Sequence, residues 1–169
     1  VPVLRETLTE AFAPQRTLAE GFARWMVHLL GDSGLVLADG ADPALKRLGA
    51  GILRQEVEEA PRSSQCILAA SESLRALGYP VQIEARPDGV NCFLLQEGRR
   101  PLVQDGGGFR LRDSRQTISA ADLRRLAQEE PERLSPNVAL RPIVQDTLFP
   151  TLAYVAGPGE LTYFAQLRP

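Results

Sequence analysis

The run Leu134-Ser135-Pro136-Asn137-Val138-Ala139-Leu140-Arg141-Pro142-Ile143-Val144-Gln145-Asp146, with Pro150 to Glu160 behind it, constrains the fold most. Ser135, Asn137, Arg141, Gln145 and Asp146 stand just before an apolar stretch, Thr151 to Val155. That stretch ends in Gly157-Pro158-Gly159 and the carboxylate of Glu160. Polar side chains gathered at the end of a buried strand are how an open α/β sheet builds a ligand site. The expectation is therefore a buried strand over 151–155, a turn at 157–159 and a helix from Glu160 to Leu167. Pro142 removes a backbone donor and biases Arg141 away from helix. A helical turn at Ser135-Pro136, a break near Arg141 and a helix from Pro142 to Leu148 are expected.

Upstream, Thr17-Leu18-Ala19-Glu20 is a capping box, and Leu18, Phe22, Trp25, Met26, Leu29 and Leu30 recur at helical spacing up to Gly31. The consecutive apolar residues Leu35, Val36 and Leu37 suit a strand covered on both faces. Asp42-Pro43 opens a helix with the buried stripe Leu45, Leu48, Ile52, Leu53 and Val57, ended by Pro61. The first third thus reads helix, strand, helix. The middle differs. A helix over 63–77 gives way to short alternating segments at 81–85, 90–95, 101–104 and 109–112, joined by Gly turns, as in a β-meander. Ser119 caps one more helix, through Gln128. Residues 61–134 read as an α+β insertion in an α/β frame, so the chain divides into 1–60, 61–134 and 135–169.

Several function classes fall away. A net charge of -2 offers no basic excess for a nucleic acid partner. No apolar run approaches the length of a membrane span. Cys66 and Cys92 lack CxxC spacing, and His28 cannot complete a zinc set with them, so no metal is expected. A reducing cytoplasm fits two unpaired cysteines. The start at Val1 and the stop at Pro169 suggest a piece of a longer chain.

Among the polar candidates, Arg141 offers a planar fork for a carboxylate or phosphate. Asn137 and Gln145 can fix hydroxyl or amide groups. Gly157 and Gly159 let a ligand approach the backbone, beside Glu160. A purely structural reading also stands: Ser135 caps, Asn137 sits in a turn, Asp146 pairs with a surface arginine, and Glu160 complements a helix dipole. Asp39-Gly40 reads as a turn and Gly106-Gly107-Gly108 as a hairpin. His28 reads as a partly buried structural residue, and Trp25, Met26 and Cys92 as core. The glycines fit neither GxGxxG nor a phosphate loop. No Ser–His–Asp set can be assembled.

The same residues resemble a known family. Leu134-Ser135-Pro136-Asn137-Val138, Arg141-Pro142, Gln145-Asp146, Pro150-Thr151, Ala153-Tyr154-Val155, Gly157-Pro158, Glu160 and Tyr163 are similar to the string of the bacillithiol biosynthesis cysteine-adding enzymes. Leu30 to Leu37 and Asp42-Pro43-Ala44-Leu45-Lys46-Arg47 support it, with weaker matches at Phe93-Leu94, Arg99-Arg100 and Phe109. The resemblance implies a Rossmann-like core interrupted by connecting-peptide insertions, with this chain a central piece inactive alone. It implies a ligase that joins cysteine to glucosaminyl malate, and a homodimer through a coiled coil that this sequence lacks. The family's Gly-Gln-Gln-like and His-containing segments are also missing. Asn137, Arg141, Gln145, Gly157, Gly159, Glu160 and Tyr163 would line the pocket. No cofactor motif is visible here, and ATP stays open for the full-length enzyme. The alternative is a complete, non-catalytic small-molecule-binding or regulatory α/β domain. It requires Leu35–Leu37 and Leu152–Val155 to be fully covered, whereas the enzyme-piece reading requires exposed apolar surface there.

Overall fold

The structure, a computed structural model, describes residues 2–167. Packing separates the chain at Gly40/Ala41 into two compact units. Within the second unit, residues 41–60 share a core with the strands downstream.

The first unit pairs α1 (Pro2–Ala11) with α2 (Leu18–Leu30). The capping box forms as expected: Thr17 N–H donates to Glu20 Oε2 at 2.7 Å, and Glu20 N–H donates to Thr17 Oγ1 at 3.2 Å. Gly21 is buried because the Phe12 ring lies against it, where a Cβ would overlap the ring. α2 runs into a 3-10 turn and ends at Gly34, whose φ of 77° is left-handed. Three expectations are corrected here. His28 is exposed rather than partly buried, and Leu18, Phe22, Leu29 and Leu30 also face solvent. Leu35 to Leu37 form no strand and pair with none among the described residues, and Val36 is 87% exposed.

The second unit begins with α3 (Pro43–Leu48), capped by Asp42 Oδ1, which accepts from Ala44 N–H at 2.8 Å. The expected single helix is broken at Gly49, where α4 (Ala50–Glu59) starts. A Cβ on Gly49 would lie 3.2 Å from Val144 Cγ1, so the break permits a close approach. α5 (Arg62–Ala76) follows. The sheet then forms from β1 (Gly89–Leu95), β2 (Arg99–Asp105), β3 (Gly108–Leu111) and β4 (Thr117–Ile118). α6 (Ala120–Glu129) precedes β5 (Leu134–Pro136).

All pairings are antiparallel, in the order β4-β3-β2-β1-β5. The β2–β3 hairpin closes through Gly106 (φ 56°) and Gly107 (φ 87°), both left-handed, which matches the twist of the flanking strands. β5 corrects the expected helical turn at Ser135-Pro136: Cys92 pairs with Pro136, Phe93 with Ser135 and Leu94 with Leu134. Proline is tolerated there because β5 is the edge strand. Helices α4 and α6 supply Leu53, Val57, Leu123 and Ala127 to a core with Cys92, Leu94, Leu102, Phe109 and Leu111. A second cluster joins Ile67, Ile83, Ala139 and Tyr163.

The chain closes with α7 (Arg141–Leu148) and α8 (Pro158–Phe164), then a 3-10 turn over Ala165–Leu167. Residues 81–85 and 151–155, both expected as strands, form no strand and pair with none among the described residues, and the chain bends at Leu152. Leu152 is fully exposed and Val155 is 97% exposed. Strand pairing is non-local, and alternation alone does not supply a partner. The mixture of helices and sheet keeps the chain in the expected α/β class.

Candidate functional site

The site begins with a turn. Asn137 Oδ1 accepts from the N–H groups of Ala139 at 2.9 Å and Leu140 at 3.1 Å, and Asn137 O accepts from Arg141 N–H at 2.9 Å. These bonds launch α7 at Arg141. Pro142 then falls in the first turn, where its missing N–H costs nothing. Arg141 and Gln145, one turn apart, share a face, and Arg141 Nη1 donates to Gln145 Oε1 at 2.9 Å.

The guanidinium meets three further side chains. Arg141 Nη2 donates to Tyr163 OH at 2.9 Å and to Tyr154 OH at 3.1 Å, and it lies 3.5 Å from Glu160 Oε1. Both phenols turn their hydrogens toward that same carboxylate oxygen, Tyr154 at 2.9 Å and Tyr163 at 3.4 Å. Phe164 holds both rings, with centroids 4.8 Å from Tyr154 and 5.0 Å from Tyr163. Glu160 stands in the first turn of α8, where its charge complements the helix dipole.

Burial works against the Arg141 charge, but the accepting Tyr154 and Tyr163 oxygens outweigh it and hold its pKa above the ordinary arginine value. The side chains of Arg141 and Glu160 remain 40% and 41% exposed, so the cluster opens to solvent. Chemically it offers a fixed cation, a fixed carboxylate and two phenols within one hydrogen-bonded ring. It can bind and orient a small polar ligand that carries an anion beside a donor.

Four of the residues singled out in the sequence therefore meet: Arg141, Gln145, Glu160 and Tyr163. Asn137 does not join them. Its amide donates to Asn91 Oδ1 at 2.8 Å, on the side of the sheet. Gly157 and Gly159 flank Pro158 at the start of α8, and neither has a positive φ. A Cβ on either would meet nothing within 4 Å, so this chain's own packing does not demand glycine there. Asp146 is exposed. Tyr154 was missed, although its signal was present: one amphipathic ring in a stretch whose neighbours Ala153 and Val155 are small or β-branched. Among the described residues, no three His, Cys, Asp or Glu side chains converge as a metal site would require. No helix among them is long and apolar enough to cross a membrane.

Residues 2–169 match the family model described as "Bacillithiol biosynthesis BshC, N-terminal Rossmann-like domain". The chain belongs to the bacillithiol biosynthesis BshC family. Its relatives include proteins named "Putative cysteine ligase BshC". The one from Salinibacter ruber is 43% identical over 98% of this chain, and the one from Chlorobaculum tepidum 39% identical over 99%. The one from Heliobacterium modesticaldum is 42% identical over 88% of it. The chain spans 30% of the length of the first two BshC relatives and 28% of the third. The piece expected to be central thus falls, by that description, within the N-terminal Rossmann-like domain. The Arg141 cluster is built entirely from the string on which the BshC resemblance rests.

Proposed function

We propose that this chain is part of a cysteine ligase that forms an amide between cysteine and the amino group of glucosaminyl malate, giving bacillithiol. The Arg141 ring is its substrate-contacting wall. The observation that carries the reading is the guanidinium fork held by Gln145, Tyr154 and Tyr163 beside Glu160. Amide formation needs an activated carboxyl and stabilisation of a developing oxyanion. Arg141 suits the anionic group of a bound substrate, and Glu160 suits a donor such as an amine or hydroxyl. Gly157 and Gly159, which the fold itself does not require, leave backbone open for a ligand to approach.

Asn137 serves this wall through the turn it builds and not by contact. The residues here do not fit a nucleotide site. The glycine turn lacks the Lys-Ser/Thr end of a phosphate loop. The first turn of α8 carries the carboxylate of Glu160, which repels a phosphate at that helix start. By the resemblance, the longer protein works in the cytoplasm, pairs as a homodimer through a coiled coil, and supplies the opposite wall, so this chain alone is inactive. Exposure of Val36, Leu152 and Val155 supports the enzyme-piece reading over a self-contained binding domain, which required them covered.

The test is ligation of cysteine to glucosaminyl malate by the full-length protein carrying Arg141→Ala. A fall in kcat/KM of about tenfold or more is expected for loss of a charge-assisted contact. Normal ligation would overturn the site assignment.

A further inference from the structure

Gln166 is fully buried and makes four hydrogen bonds. Its Oε1 accepts from the N–H groups of Gln82 at 2.7 Å and Ile83 at 2.8 Å. Its Nε2 donates to Ile83 O at 3.0 Å and to Ser71 Oγ at 2.8 Å. An amide side chain has two acceptor positions and two donor hydrogens, and all are used. The side chain thus satisfies backbone groups of segment 81–85, which pairs with no strand among the described residues.

Glu160, Tyr163 and Gln166 follow at intervals of three, so they rise along one side of α8 and the 3-10 turn after it. Tyr163 is 9% exposed and packs with Ile67 and Ile83. Ile83 is itself a partner of Gln166, and Ser71, another partner, donates its hydroxyl to Ile67 O at 2.6 Å. A rotation of α8 would therefore have to break the Gln166 bonds before it could move Tyr163 OH away from Arg141. We propose that Gln166 is a positioning residue: it clamps α8 to α5 and to segment 81–85, and so sets Glu160 and Tyr163 against Arg141. This rests on the proposed role of the Arg141 ring in ligation.

The test uses full-length protein with Gln166→Leu and, as a milder variant, Ser71→Ala, which removes one partner of four. Two readouts are taken. One is kcat/KM for ligation. The other is the NMR signals of the Arg141 guanidinium, which are resolved and slow to average when its Nη groups are held. For folded Gln166→Leu, collapse of those signals and a fall in kcat/KM of about a hundredfold are expected. Ser71→Ala should move both in the same direction by less. A folded Gln166→Leu that is only less heat-stable, with guanidinium signals and kcat/KM as in the parent, overturns the proposal.

If Gln166→Leu does not fold, Ser71→Ala and amide exchange in the parent decide. Gln82 and Ile83 amides that exchange as fast as an open loop overturn the clamp. The guanidinium readout does not depend on the reaction. It therefore tests the clamp even if Arg141→Ala leaves ligation intact and the site reading fails.

Discussion

Asn137 donates its side-chain amide to Asn91 Oδ1 at 2.8 Å, tying the turn before α7 to strand β1. Asn91 in turn donates to Ser63 Oγ at 2.8 Å and Ser64 Oγ at 3.1 Å, and its backbone N–H donates to Glu56 Oε1 at 2.6 Å. Glu56, Ser64 and Asn91 are buried, so the bonds among them replace water, while those to Ser63 and Asn137 are half-buried. Removing one partner strands the rest, which costs more than the bond itself contributed. Asn137→Ala should lower unfolding free energy by about 1–2 kcal/mol, the cost of a lost cap and one half-buried bond. Asn137→Asp keeps the cap but sets a carboxylate against an amide oxygen, and should recover only part of the loss. Urea unfolding of the two variants checks this. Equal stability of Asn137→Ala and the parent would refute it.

The two phenols around Arg141 do more than pack. Tyr154→Phe and Tyr163→Phe keep the rings against Phe164 but each removes an acceptor from Arg141 and a donor to Glu160. Each variant should fold normally and lose about tenfold in substrate affinity, the worth of one charge-assisted hydrogen bond. The double variant should lose less than the product of the two, because both phenols share Glu160 Oε1. Binding titration of full-length protein with cysteine and with glucosaminyl malate, the substrates proposed above, reads the effect. Unchanged affinity for both would refute it.

What could be read from residues alone follows the range of the interaction. The Thr17 capping box, the Asp42-Pro43 start, the Ser119 cap and the Gly106-Gly107 hairpin are settled within four residues, and all form. Arg141 with Gln145, and Glu160 with Tyr163, were legible as pairs because helical spacing places each pair on one face. Their meeting was not, since it depends on how the 149–157 segment returns α8 to α7. Ser135-Pro136 read as a helix start, yet the open edge of β1 recruits it as a strand. The alternation at 81–85 was real, but its partner is the side chain of Gln166, more than eighty residues away, which no strand pattern reveals. Leu35–Leu37 and Thr151–Val155 carry strand-like composition without a strand beside them among the described residues.

The two cysteines should separate cleanly by reactivity. Cys92 is 1% exposed in the core, and burial, helped by the nearby Glu56 carboxylate, pushes its thiol pKa well above the ordinary value. The thiolate is the reactive form, so Cys92 should resist alkylation in the native protein. Cys66 is exposed and should label. Iodoacetamide treatment at pH 8 followed by peptide mapping should find Cys66 modified before unfolding and Cys92 only after it. Early labelling of Cys92 would mean that the core around β1 opens.

Acid should weaken the fold through carboxylates held by hydrogen bonds. Asp113 accepts from Arg100 Nε and Nη2, each at 2.8 Å, and these bonds lower its pKa. Asp122 is lowered by the hydrogen bond from Ser119, at 2.6 Å, and next by Arg125. A depressed folded pKa means the contribution is present above the unfolded value. It is lost as pH falls through the folded value. The window therefore opens near the unfolded aspartate value, about pH 4, and extends below it. Both groups are exposed, so salt should shrink the effect. Asp113→Asn and Asp122→Asn should each be less stable than the parent at pH 7, with the difference closing as pH drops below about 4. Urea unfolding between pH 2 and 7 measures it. A deficit that stays constant across that range would show that packing, and not charge, is what the substitutions removed.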